Sequence, residues 1–352
     1  MAIIKSFLEN SSAWHAEYAK RVEAYQKLID DHRAREQKFE AERQTALDEL
    51  RRTLLEELKE PEERLFEVAP ILAGDVDAIP TRRAAYSDRT AAMMAKIALL
   101  TYIAFEDADK KKILDGMLTH GRVKLVETLI ADETEALVAD TDKFVAVGFR
   151  GTTSKRDVRT DLQARFNVAM ATIDNQKTVK VSVHAGYYEA FHKVEAQLKA
   201  LLAKTGDKPI YLTGHSMGGA LALVASAALG ADPELGDRVA AVYTFGAPRV
   251  GQRSFSQIVK APHYRIVNSG DLVPLVPPTW LRSYVHTGTP ILLKKNTDWP
   301  IRRSPRGSAF LYALMSLLLW PFTRQLIFLN AHDAALYVAN LERIARFRGR
   351  WT

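Results

Sequence analysis

The chain has 352 residues, 47% of them hydrophobic, and a net charge of +7, which is enough apolar material for one large α/β domain with an appendage. It contains no cysteine, so disulfides, thiol catalysis and Cys-ligated zinc are excluded, and a reducing compartment is suggested. The basic balance fits ordinary solubility or an anionic membrane surface, and the absence of any aromatic-basic motif argues against nucleic acid as a partner.

The start, Met1 to Ser6, lacks the apolar run of a signal peptide. The expected location is the cytoplasm or the periphery of a membrane, with secretion by another route left open. Up to about Glu60 the chain is charged and free of Gly and Pro. Trp14, Tyr18, Tyr25, Leu28 and Ile29 recur at helical spacing, and Phe39, Leu47, Leu50, Leu54, Leu55 and Leu58 continue a looser stripe. Pro61 ends it. Residues 1–70 therefore read as a helical N-terminal arm, either a solvated helix that only packs or a surface for self-association or a partner. Residues 71–352 read as the main domain.

A second helix is predicted from about Ser87 to Glu106, with Ala91, Met94, Ile97, Ala98, Tyr102 and Phe105 on its period. The period then changes. Val123 to Ile130 and Glu135 to Ala139 flank the turn Asp132-Glu133-Thr134, and Phe144 to Phe149 is an apolar run that suits a strand covered on both faces. Further strands are predicted near Val179 to Val183, Pro209 to Thr213, Val239 to Phe245, Tyr264 to Val267 and Pro290 to Leu293. Helices are predicted from about Gly186 to Lys204, from Ala220 to Leu229, near Ser254 and after Asp333. This alternation predicts an α/β fold with a mostly parallel central sheet and helices on both faces.

Gly214-His215-Ser216-Met217-Gly218 falls between a predicted strand and a predicted helix, the context of a nucleophile elbow. The glycines give room where a Cβ would crowd a sharply turned chain. Ser216 is then the candidate nucleophile, over a helix N-terminus whose dipole favours developing negative charge. A serine nucleophile needs a base, a group to orient that base, and donors for the oxyanion. Asp271 follows a strand end in Asn268 to Pro274, where a parallel sheet presents functional groups, although Gly-Asp before Pro is also turn chemistry. Asp232 and Asp237 lie before a strand, at the wrong edge. The base is His332, entering the last helix, or His286, beside a strand; spacing separates the two only slightly. His215 and His184 read as structural. None of this chemistry needs a metal or cofactor.

Phe149-Arg150-Gly151-Thr152, Val183-His184-Ala185-Gly186-Tyr187, Gly214 to Ala220, Thr244 to Gly251, Asn268 to Pro274, and His332 ahead of Tyr337 occur in this order. Together they resemble the fungal-type, or class 3, lipase family of α/β-hydrolases over about Tyr86 to Leu341. The resemblance implies the α/β-hydrolase fold and a triad of Ser216, Asp271 and His332. It also implies an oxyanion site of Thr152 and the N–H of Met217. The implied activity is hydrolysis of acylglycerol esters through an acyl-enzyme, with a lipid or small ester as substrate. A short-chain esterase or a phospholipase is the near alternative, and an inactive membrane-associated interaction protein the remote one. Two segments depart from the family. Residues 154–162, where a lid is expected, carry only Val158 and Leu162 as apolar residues. A strongly apolar insertion near 302–329, including Ala309 to Phe322 and flanked by Lys294, Lys295, Arg302, Arg303, Arg306 and Arg324, suits either a lipid interface or a buried helix.

Overall fold

A computed structural model describes residues 71, 76–77, 79, 85–103, 105–119, 121–151, 170–175, 179–277, 279, 283–294 and 331–348, with scattered positions between 20 and 34. Thr152, the segment 154–162, the insertion near 302–329 and most of the N-terminal arm lie outside the described residues. The chain divides into two compact units, Met1–Leu58 and Lys59–Thr352. In the first, the described positions are helical, and Gln26 Nε2 donates to Asp30 Oδ1 at 3.2 Å, a contact one helical turn apart.

Among the described residues, the second unit has nine strands: β1 (Lys124–Ala131), β2 (Thr134–Asp140), β3 (Val145–Phe149), β4 (Met170–Asn175), β5 (Val179–His184), β6 (Ile210–His215), β7 (Val239–Phe245), β8 (His263–Asn268) and β9 (Thr289–Leu293). One sheet has the order β1-β2-β3-β6-β7-β8-β9, and β4 and β5 form a separate antiparallel pair. β2 pairs antiparallel with both β1 and β3, and β3, β6, β7, β8 and β9 run parallel. The helices are α1 (Asp88–Leu100), α2 (Ala108–Thr119), α3 (Ala185–Ala203), α4 (Met217–Gly230), α5 (Arg253–Ile258) and α6 (Ala334–Arg348).

The central strands are apolar on both faces because each face meets its own helices. Alternate residues of a strand point to opposite sides. In β6, Tyr211 joins one core while Ile210 and Leu212 join the other; in β7, Ala241, Tyr243 and Phe245 oppose Val242. The first core is closed by α1, α2 and α6, which contribute Ile97, Leu114 and Leu341 among others. The second is closed by α3 and α4, through Phe191, Val194, Leu198, Leu221 and Val224. Burying each such aliphatic side chain contributes about 1.5–3 kcal/mol. α4 is apolar all round because it is buried all round.

Two elements were not anticipated. α2 escapes a periodicity reading because Lys110, Lys111, Lys112 and Gly116 interrupt it and only Leu114 and Leu118 are buried. The strand β4 has an ordinary mixed sequence with no run of alternation. The first main helix also stops at Leu100 and does not continue to Glu106. The Thr101 hydroxyl donates back to the Ala98 carbonyl at 2.7 Å, and the chain turns through Tyr102 N–H to Leu99 C=O at 3.0 Å. That early stop brings Tyr102 to the end of β6.

Candidate active site

The turn after β6 has the geometry of the predicted elbow. Ser216 has φ 56° and ψ −127°, a strained left-handed setting for a residue with a side chain. The chain permits it because glycines stand two residues away on either side. A Cβ on Gly214 would run into the backbone of Gly218, and one on Gly218 would run into the carbonyl of Phe149 at the end of β3. Ser216 N–H donates to Phe245 C=O at 2.9 Å, which ties the elbow to the end of β7. Ser216 also occupies the N-cap position of α4 without a side-chain capping bond, and Met217 is the first helical residue. The N–H of Met217 thus belongs to the turn whose donors point out of the helix end.

Asp271 sits in the turn after β8. Its N–H reaches Asn268 C=O at 3.1 Å, and its Oδ1 accepts the N–H of Val273 at 2.9 Å. Oδ2 accepts from His332 Nδ1 at 2.9 Å and from the Tyr337 hydroxyl at 2.6 Å. A carboxylate bonded in this way is fixed in rotation. Tyr337 lies on α6, and its hydroxyl also accepts the Asn268 N–H at 2.9 Å. Burial, then the adjacent Asp271 carboxylate, hold the Tyr337 phenol well above its ordinary pKa, so it stays a donor. With a proton on Nδ1, the neutral ring of His332 presents Nε2 as an acceptor, and that nitrogen is buried with no hydrogen-bond partner. An orphaned acceptor of this kind is costly in a core and is what a general base requires. Gly246, which follows Phe245, packs where a Cβ would stand 2.6 Å from Asp271 Oδ2 and 2.9 Å from His332 Nδ1. The end of β7 thus touches Ser216 at one residue and the Asp271–His332 pair at the next.

Of the residues singled out by sequence, the structure brings Asp271 and His332 into direct contact and sets Ser216 and Met217 at the elbow. Thr152 is outside the described residues, but Gly151 before it is not. A Cβ on Gly151 would lie 3.3 Å from Ser216 Cβ, so Gly151 itself packs against the serine. The competing groups have other work. His286 Nε2 donates to the Pro274 carbonyl at 2.7 Å. Burial and then Arg265 and Arg249 hold that ring well below its ordinary pKa. His263 is bonded by Thr244 Oγ1 at 2.9 Å and Thr287 Oγ1 at 2.7 Å. His184 stacks on Tyr187 with ring centroids 4.0 Å apart. Asp232 accepts the N–H groups of Glu234 and Leu235 and pairs with Lys199. Sequence reasoning missed Tyr337 as a second donor to Asp271; its only trace was its place five residues after His332. Among the described residues, no cluster of His, Asp or Glu is arranged to hold a metal ion, and no helix is long and apolar enough to cross a membrane.

Comparison with known proteins gives the same direction. The family profile described as Lipase (class 3) matches residues 146–280, a span that holds Ser216 and Asp271. A lipase of Rhizopus niveus is 31% identical over 189 residues, which is 51% of this chain and 46% of that protein. A secreted mono- and diacylglycerol lipase of Fusarium solani is 36% identical over 152 residues, 41% of this chain and 42% of that protein. The chain thus spans about half the length of the curated relatives it matches. In structure, it resembles the triacylglyceride lipase of Rhizomucor miehei with a TM-score of 0.55 at 22% identity, over 72% of this chain and 99% of that one, a likeness of fold. With the sheet order, the elbow and the matched span taken together, residues 146–280 of this chain are similar to the class 3 lipase family, in a domain with the fold of a fungal lipase.

Proposed function

We propose that the protein is a serine carboxylic ester hydrolase that cleaves acylglycerol esters through Ser216, His332 and Asp271. The observation that carries this reading is the buried His332 ring, bonded to Asp271 through Nδ1 and unpartnered at Nε2, beside a strained serine at a strand-to-helix elbow. In the reaction, His332 Nε2 takes the proton of Ser216 as Oγ attacks the ester carbonyl. Asp271 keeps the proton on Nδ1 and stabilises the imidazolium. The N–H of Met217 and Thr152 receive the oxyanion, and loss of one such donor typically costs about 3 kcal/mol of transition-state stabilisation. His332 then gives its proton to the leaving alcohol, and water releases the acid by the same route.

The substrate range follows from segments read only in the sequence. The apolar insertion near 302–329 favours long acyl chains and contact with a lipid surface. The polar segment 154–162 favours a short-chain esterase, because it offers little apolar surface to cover a lipid-binding face. Hydrolysis of a nitrophenyl ester series, below and above substrate solubility, separates these two. Acylglycerol cleavage predicts a rate that rises with chain length and emulsification and disappears in Ser216→Ala. A preference for short soluble esters favours the esterase, and activity equal in Ser216→Ala and wild type removes the serine mechanism altogether.

A further inference from the structure

The residue before the nucleophile is tied to the main chain of the base. His215 Nε2 lies 2.6 Å from the carbonyl oxygen of His332, and His215 Nδ1 lies 2.8 Å from the Tyr102 hydroxyl. A carbonyl only accepts, so Nε2 carries the proton. A neutral imidazole protonated there has a bare Nδ1, so the Tyr102 O–H donates to it. The direction of both bonds is thereby set: Tyr102 to His215, and His215 to His332. All three side chains are buried, at 2%, 5% and 5% relative exposure, and the rings of His215 and His332 lie 4.5 Å apart. Burial, then the neighbouring His332, keep His215 well below its ordinary pKa, so it stays neutral and Nδ1 remains the acceptor for the Tyr102 hydroxyl. A Cβ on Gly151 would run into the Tyr102 hydroxyl, so the hydroxyl is confined from that side too.

Asp271 fixes the ring of His332 but not its main chain, which lies in the turn leading into α6. The main chain is held by His215, one bond along from Ser216. We propose that His215 and Tyr102 are positioning residues that set the separation of Ser216 and His332 by clamping the His332 carbonyl to the residue preceding the serine. The inference rests on the ester-hydrolase reading, because that separation matters only if a proton passes between the two side chains. Small misplacements of reacting groups lower rates steeply while leaving ground-state binding alone.

The test uses the full chain and the variants Tyr102→Phe, His215→Gln and His215→Leu. His215→Gln retains an N–H toward the His332 carbonyl and loses the acceptor for Tyr102; His215→Leu loses both. With a soluble nitrophenyl ester, the clamp predicts kcat lowered by about 10- to 100-fold in His215→Leu, a smaller loss in Tyr102→Phe, partial rescue in His215→Gln, and KM unchanged in all three. A second readout needs no substrate: the downfield proton resonance of the His332 Nδ1–H bonded to Asp271 should broaden or move in His215→Leu and stay close to wild type in His215→Gln. If the variants lose thermal stability but keep wild-type kcat, the clamp is overturned and the pair is only structural. If His215→Leu does not fold, Tyr102→Phe and His215→Gln decide on the same two readouts. If wild type shows no Ser216-dependent hydrolysis, the ester-hydrolase reading fails separately. The resonance then decides whether the clamp exists, and an unchanged signal in the variants removes it.

Discussion

Ser216, His332 and Asp271, the triad proposed above, are held by neighbours outside it, and single substitutions there should be diagnostic. Gly246 has φ 59° and faces both Asp271 and His332 at less than van der Waals distance for any added Cβ. Gly246→Ala should therefore push the pair apart and reduce kcat by about 100-fold, with the nitrophenyl ester assay as the check; activity near wild type would mean the pair tolerates displacement. Tyr337→Phe removes a donor to Asp271 and leaves the Asn268 N–H without its acceptor. A loss of about 2 kcal/mol in unfolding free energy is expected, read by urea denaturation, together with a fall in kcat. At this scale the sequence was legible where sterics speak locally. Gly214 and Gly218 mark the elbow because no side chain fits there. It was silent where the contact is distant: the bonds from Tyr337 to Asp271 and from Tyr102 to His215 join residues far apart in the chain, and spacing alone left His286 beside His332 as a base.

Among the elements, α6 matters most to the site, because it carries Tyr337 and begins just after His332. It is fastened to α1 by Lys96, whose ammonium lies 2.8 Å from Glu342 with side-chain exposures of 6% and 19%. Lys96→Ala removes the buried cation and leaves the mostly buried Glu342 carboxylate with the exposed Arg346, 3.3 Å away on α6. Discounted for the partial exposure of Glu342, the cost should be about 2 kcal/mol. The double change Lys96→Met with Glu342→Leu should recover most of it, since two apolar side chains replace a desolvated ion pair. Urea denaturation of the three variants measures this, and a double variant no better than the single one would contradict it. The sheet strands were legible because β3, β6 and β7 are covered on both faces and so read as unbroken apolar runs. α2 was not, because its exposed face carries three lysines and its buried face only two leucines.

At the scale of the whole molecule, His215 and His263 are buried and His286 is half-buried, and all three rings are held neutral. His263 is pushed down to about 3 by burial and by the nearby Arg265, and His215 and His286 lie well below their ordinary value of 6.5. Below pH 6.5 the unfolded chain takes up protons that the folded chain refuses, so stability falls as pH falls. The contribution of His263 is fully present above pH 6.5 and is lost progressively toward about pH 3. Between pH 7.5 and 5.5 each of the three should cost about 1.4 kcal/mol. Denaturation midpoints at the two pH values measure the loss, and His263→Asn should flatten it; a midpoint independent of pH would contradict buried neutral histidines. The alternation of strands and helices made the architecture legible from the chain, since each parallel crossover needs a helix. The role of the 1–70 arm and of the insertion near 302–329 was not legible, because an apolar helical stripe looks alike whether it meets a core, a partner or lipid.

The central claim is that Ser216 is a nucleophile activated by His332. It is tested most directly by reacting the intact chain with an alkyl fluorophosphonate and locating the adduct by peptide mass mapping. The predicted result is one phosphonyl group per chain, on Ser216, absent in Ser216→Ala and formed at least about 1,000-fold more slowly in His332→Ala. An adduct on another residue, or labelling of Ser216→Ala at the wild-type rate, would contradict it.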